Sequence, residues 1–260
     1  MGELLKVFKI GGGIIDEAPL LERFLTELAR VPGPKILVHG GGKGASQLLA
    51  SMGIAPRMVE GRRVTDAATL DVVTMLYAGK TNKHIVALLQ QRGVNALGLS
   101  GADGDSIRAV RRPVAAVDYG FVGDLHAASV NTKLLTRLLQ AGLTPVFCAI
   151  THDGQGQLLN TNADTVASAV AQALAGAYAV ELHVCFEKDG VLAAVQDDRS
   201  VLARLALADY QAMKASGAVA AGMVPKLDNA FAALAAGVQA VVIENALNIN
   251  KPVKTTLCRS

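Results

Sequence analysis

A chain of 260 residues, half of them apolar, carries enough hydrophobic surface for one large α/β unit or two small ones. Trp is absent and aromatics make up only 4% of the chain, so Ala, Val and Leu must build the core. The formal charge of +3, with no basic run longer than three residues, argues against nucleic acid as the main partner and is compatible with a small anionic substrate.

Taken in chain order, short apolar runs alternate with helical patterns. Leu4–Ile10 reads as a strand, Ala18–Arg30 as an amphipathic helix, Lys35–His39 as a strand and Lys43–Met52 as a helix. Ala67–Arg92 reads as one long helix and Val94–Leu99 as a strand. The run Ile107–Leu125, with Pro113, Gly120 and Gly123, has the look of an inserted hairpin. Thr144–Ile150 is a strand, Ala163–Ala175 a helix, Ala179–Cys185 a strand, Met223–Ala236 a helix and Val238–Ile243 the last strand. This alternation implies a three-layer αβα sandwich around a mostly parallel sheet. Residues 1–260 read as one folded unit with two lobes, about 1–150 and about 151–260, and a weak seam near Ala149–Gly156. The most membrane-like stretch, Val166–Phe186, contains Gln172, Gly176, Glu181 and His183 and changes period midway, so it reads as a buried helix followed by a buried strand.

Cys148, Cys185 and Cys258 are dispersed and make no metal-ligand spacing, which fits a reducing cytosol. The N-terminus has no signal-peptide layout. A cytoplasmic protein with no metal cage of its own is the expectation.

Two glycine triplets follow strands directly: Gly11-Gly12-Gly13 and Gly40-Gly41-Gly42. In open α/β sheets ligands gather at the carboxyl ends of strands, and glycine there lets backbone N–H groups approach an anion. A helix over Lys43–Met52 adds its positive end to the second turn. Neither triplet fits a Walker A loop or a Gly-x-Gly-x-x-Gly fingerprint. Lys9 stands just before the first triplet, and Lys226 follows Gly222-Met223-Val224-Pro225 near a helix start. Phosphoryl transfer to a carboxylate needs such cations and no general base, because the nucleophile is already ionised. Asn160-Thr-Asn162-Ala-Asp164 precedes a helix, where Asn and Asp are usually caps; two Asn and an Asp at spacing two suggest a ligand contact as well.

Together with Gly61-Arg-Arg-Val-Thr-Asp66, Gly79-Lys-Thr-Asn-Lys83, Gly98-Leu-Ser-Gly-Ala-Asp-Gly104 and Gly120-Phe-Val-Gly123, these pieces resemble, in order and over nearly the whole chain, the amino-acid kinase superfamily and its N-acetylglutamate kinases. The resemblance implies an ATP-dependent phosphorylation of the side-chain carboxylate of N-acetyl-L-glutamate, in arginine (ornithine) biosynthesis. It implies that Lys9 and Lys226 neutralise the transferring phosphoryl group and that Asp164 holds both lysines. Gly41 and Gly42 would present N–H groups to the substrate, Arg63 would pair with a glutamate carboxylate, and Asn160 would contact the α-carboxylate or acyl amide. Gly11 and Gly12 would face the phosphates. ATP would lie near Glu187, Lys188, Gly190, Val191 and Leu192 and near Ala218, Val219 and Ala220, with Mg²⁺ delivered by the nucleotide.

Phe186 and Glu187 replace the Thr-Asp or Ser-Asp pair usual in the family. The Cys-Phe-Glu-Lys variant resembles a subgroup found beside N-succinyl pathways, so N-succinyl-L-glutamate is the alternative substrate; Arg108, Arg111 or Arg112 would then meet its extra carboxylate, unless they simply form a basic solvated hairpin. A non-catalytic sensor of acylated amino acids is the alternative of another class. It predicts loss of Lys9, Asp164 or Lys226, and all three are present. Arginine-inhibited members carry a helix before the first strand that joins dimers into a hexameric ring. Only three residues precede Leu4, so a homodimer is expected, with Leu70, Val72, Val73, Met75, Leu76 and Tyr77 of the long helix as its interface.

Overall fold

The structure, a computed structural model, describes residues 2–41, 43–59, 62–194, 196–219 and 223–259. Gly42, Gly61, Ala220 and Gly222 lie outside the described residues. The strands are β1 (Leu4–Ile10), β2 (Lys35–His39), β3 (Met58–Val59), β4 (Arg62–Arg63), β5 (Ala96–Leu99), β6 (Val110–Arg111) and β7 (Gly123–Asp124), then β8 (Thr144–Cys148), β9 (Ile150–His152), β10 (Leu158–Asn160), β11 (Ala179–Phe186), β12 (Arg204–Ala206), β13 (Ala240–Asn245) and β14 (Thr255–Cys258). The helices are α1 (Gly12–Ile15), α2 (Ala18–Arg30), α3 (Gly44–Ser51), α4 (Ala67–Thr74), α5 (Asn82–Gln91), α6 (Thr132–Gln140), α7 (Ala163–Leu174), α8 (Leu207–Ala215) and α9 (Val224–Ala235).

Eight strands form one sheet in the order β12-β14-β13-β11-β1-β2-β8-β5. Only the β13–β14 pairing is antiparallel. The central strand β1 runs in register with β2 on one side, Lys9 opposite Val38, and with β11 on the other, Lys9 opposite Val184. Alternate residues face opposite layers. Phe8, Ile10 and Leu37 pack under α2 and α5, against Phe24, Leu28, Ile85 and Leu89. Leu5, Val7 and Val38 pack on the other face with Val166, Val170 and Leu227 of α7 and α9. In α2 the apolar spacing Leu21, Phe24, Leu25, Leu28 gives one buried stripe, and Pro19 in the first turn and Arg30 in the last suit the two ends of a helix. The stretch that looked membrane-like is α7 followed by β11, both almost wholly buried, and no described helix is long and apolar enough to cross a membrane.

Three expectations need correction. Val238–Ile243 is not the last strand: β14 follows it and pairs antiparallel with β13. The long helix is interrupted, because Met75–Thr81 winds as a π-helix between α4 and α5. The stripe proposed as a dimer interface is used by the chain's own core: Leu70, Val72, Val73, Leu76 and Tyr77 are buried, and only Met75 is exposed, at 54%. The inserted run does form a small hairpin, β6 with β7.

Candidate functional site

Lys9 projects from β1 toward α7, and its Nζ lies 2.8 Å from Asp164 Oδ1. Lys9 is 5% exposed, so this ion pair is held away from solvent. Asp164 is free to make it because a neighbour does the capping: Asn162 is the N-cap of α7, accepting from the Asp164 N–H at 2.7 Å and the Thr165 N–H at 3.3 Å. Lys226, in the first turn of α9, shares a narrow cleft with Lys9 and Asp164. Burial pushes the Asp164 carboxyl up, but the Lys9 and Lys226 charges outweigh it and hold the carboxyl below its ordinary value. Burial and the like charge of Lys9 lower Lys226, against the pull of Asp164 and Glu187. Asp164 is therefore an ionised organiser of two cations.

Lys9 and Asp164 also line a cavity of about 330 Å³, at the small end of the range for ligand pockets. Gly11, Gly12, Gly41, Arg63 and Asn160 line it too, so the structure brings these expected residues together. Arg63 Nη2 donates to Ser46 Oγ at 2.9 Å, while Nη1 is buried with no partner among the described residues, an orphan donor suited to a ligand carboxylate. Asn160 Nδ2 donates to Thr65 Oγ1 at 3.0 Å, which fixes the amide in the cavity wall. The N-terminus of α3 is partly occupied by the protein itself, since the Lys43 N–H donates to Asp16 Oδ2 at 2.9 Å.

Several residues of this cavity were not anticipated. Arg62, Met58, Val122 and Tyr77 line it. Tyr77 belongs to the π-helical segment, and its ring lies directly against Gly41: a Cβ there would fall 1.5 Å from Tyr77 Cε1. Only glycine fits. Burial raises the Tyr77 hydroxyl above its usual value, against the Arg63 charge beside it. Conversely, Arg108 pairs with Asp105, Arg112 with Asp124, and Arg111 donates to the Gly120 carbonyl and covers the Phe121 ring. None of the three lines the cavity.

A second, more apolar cavity of about 130 Å³ is lined by Lys188, Gly190, Val191, Leu192, Ala218 and Val219, as anticipated, and by Phe186 and Met223, which were not. Glu187 lies elsewhere. Its carboxylate faces the first glycine turn, so close that a Cβ on Gly13 would fall 1.5 Å from Oε1.

Beneath the second glycine turn sits a buried pair. His39 Nδ1 lies 2.9 Å from the Gly40 carbonyl, and Asn82 Nδ2 lies 3.1 Å from His39 Nε2 and 2.9 Å from the Val146 carbonyl. Burial pushes the His39 imidazole down to about 4.

The model of the amino acid kinase family matches residues 5–245. An acetylglutamate kinase from Bacteroides fragilis is 52% identical over 94% of this chain and 92% of its own length. One from Methanopyrus kandleri is 41% identical over 93% of this chain and 95% of its own. The solved structure of smu.665 from Streptococcus mutans UA159 superposes with a TM-score of 0.79 at 26% identity, covering 98% and 99% of the two chains.

A stability prediction follows from His39. Below its ordinary value of 6.5 the unfolded chain takes up a proton that the folded chain refuses until about 4, so stability falls as pH drops through that window. His183 acts elsewhere. Burial lowers it, yet Glu181 and Glu244 hold it above 6.5, so its contribution is complete below that value and is lost as pH rises. Urea unfolding should therefore show about 2 kcal/mol less stability at pH 5 than at pH 7 on account of His39. His39→Asn should flatten the profile by that amount; parallel profiles would contradict the assignment. The two cavities, the lysine pair and the full-length matches agree: the chain belongs to the amino acid kinase family and, within it, to the acetylglutamate kinases.

Proposed function

We propose that this chain transfers the γ-phosphoryl group of ATP to the side-chain carboxylate of N-acetyl-L-glutamate, giving N-acetyl-L-glutamyl 5-phosphate in arginine (ornithine) biosynthesis. The observation that carries this reading is the sharing of Lys9 and Asp164 between the Arg63-containing cavity and the cleft that holds Lys226. The acylated amino acid occupies the first cavity, with its α-carboxylate on Arg63 and Asn160, and its side-chain carboxylate beside Lys9. The adenine end of ATP occupies the apolar cavity, and the phosphates run past Gly11 and Gly12 toward Lys9. In this arrangement the N-terminal half of the chain carries most of the acyl substrate, with Asn160 added from the C-terminal half, and the C-terminal half carries the adenine end of the nucleotide.

The acceptor is already a carboxylate, so no side chain needs to remove a proton from it. The protein's work is alignment and charge neutralisation: Lys9 and Lys226 against the phosphoryl oxygens and the leaving ADP, backbone N–H groups against the same oxygens. Asp164, ionised between the lysines, keeps them in place. Mg²⁺ arrives bound to ATP and supplies further neutralisation of the phosphates. The donor it would find on the protein is the Glu187 carboxylate, an oxygen ligand of the kind Mg²⁺ takes, exposed at the first glycine turn.

The second reading, N-succinyl-L-glutamate, draws on Arg62. This second guanidinium lines the substrate cavity and has no acidic partner among the described residues. We place the protein in the cytoplasm, in keeping with its three free thiols, as a homodimer. A second copy would bury the exposed Met75 and the partly buried Leu158, which line one groove. Light scattering should give twice the chain mass, and a monomer or hexamer would refute the dimer.

Purified protein should release ADP only with both Mg-ATP and an N-acylated glutamate present. Lys226→Ala should lower turnover a few hundredfold or more, in line with ~3–4 kcal/mol for one preorganised charge donor. Acetyl-glutamate should give the higher kcat/KM. Efficient use of succinyl-glutamate with almost none on acetyl-glutamate would transfer the assignment to the second reading, and free glutamate as the better substrate would refute both.

A further inference from the structure

His39 is fully buried at the end of β2, on the face that packs against α5. Lys9 and the cavity lie on the opposite side, since Val38, the neighbour of His39, is the register partner of Lys9. His39 therefore touches no substrate. Its hydrogen bonds nevertheless settle the geometry of a group that does.

The Asn82 amide nitrogen faces two acceptors, His39 Nε2 and the Val146 carbonyl. Its oxygen receives Lys83 Nζ at 3.3 Å. This pattern fixes the amide orientation, and with it the imidazole tautomer: Nε2 accepts, so the proton is on Nδ1 and is donated to the Gly40 carbonyl. Gly40 is held a second time through its own N–H, which donates to the Ile10 carbonyl at 3.2 Å. The Gly40–Gly41 peptide is trans, so its C=O and N–H point in opposite directions. A carbonyl drawn toward His39 sends the Gly41 N–H to the other side of the sheet, into the cavity, where it has no acceptor among the described residues. The Tyr77 ring closes the remaining side of Gly41.

We propose that His39 is a positioning residue: with Asn82 it locks the Gly40–Gly41 peptide plane and aims the Gly41 N–H at the transferring phosphoryl oxygens. The proposal rests on the kinase reading above. The parent enzyme's activity tests that reading, and the variants below test this one.

Asn places its amide nitrogen near the position of imidazole Nδ1, and Gln places its amide oxygen near that of Nε2, where it accepts from Asn82 Nδ2. His39→Asn thus keeps the donor to Gly40, while His39→Gln keeps only the contact with Asn82. His39→Gln should lower kcat about tenfold or more and leave KM for ATP within about threefold, as expected for loss of an interaction made in the transition state. It should also weaken binding of ADP with aluminium fluoride, a mimic of the transferring group, and leave ADP alone unaffected. His39→Asn should keep kcat within about threefold of the parent. Equal losses in the two variants, or none in either, would overturn the proposal. If His39→Gln fails to fold, ¹⁵N NMR of the imidazole in the unaltered enzyme decides: a neutral ring protonated on Nδ1 is expected, and an Nε2–H tautomer would overturn it.

Discussion

The site depends on one buried ion pair, Lys9 with Asp164. Taking both charges out of water is costly, and an unpaired partner would be left stranded at a cost of several kcal/mol. The pair is tolerable because three elements converge to complete it. Strand β1 sits at the middle of the sheet and fixes the lysine. Helix α7 brings the carboxylate, freed for the task by Asn162, and α9 adds Lys226. Two lysines against one carboxylate leave a net positive charge where a phosphoryl group carries negative charge. The same excess lowers Asp164 below its ordinary value, which keeps it ionised and unsuited to act as a base.

Around this pair the glycine turns act through their backbone. The first receives the Glu187 carboxylate on Gly13, and the second receives the Tyr77 ring on Gly41. The π-helical segment is the device behind the second contact. Its wider turns place Tyr77 on the cavity side and deliver Asn82 beneath His39. The sheet's two faces thus cooperate at one strand end: cations and substrate on the α7 side, the peptide-plane anchor on the α5 side.

Much of this was legible in the chain because it is local. Apolar strand runs, a helical stripe such as Leu21–Phe24–Leu25–Leu28, and glycines at strand ends reveal β1, α2, β2 and the two turns. Lys9, Arg63 and Asp164 were legible through motif resemblance, and the structure gathers them with Gly11, Gly12, Gly41 and Asn160 in one cavity. What stayed hidden depends on tertiary packing. A π segment has the composition of an α-helix, so nothing in Met75–Thr81 announces it. Residue types in Asn160–Asp164 signal a cap and a ligand but not which side chain does which. Helix α6 does carry a local signal, since Asn131 accepts from the Leu134 N–H at the head of an amphipathic run. Strand β14 is four residues long after Pro252, and only its pairing with β13 makes it a strand. Arg62 stands in a motif beside Arg63, yet its place in the cavity wall depends on how the β3–β4 hairpin folds over the site.

The central claim is that Asp164 acts by holding Lys9 rather than by chemistry of its own. The most direct measurement is a double-mutant cycle on kcat with Lys9→Met, Asp164→Asn and both together. Residues that act as a unit are not additive, so the double variant should be within about threefold of the slower single variant. Losses that multiply would show that Asp164 contributes independently of Lys9, and would contradict the account.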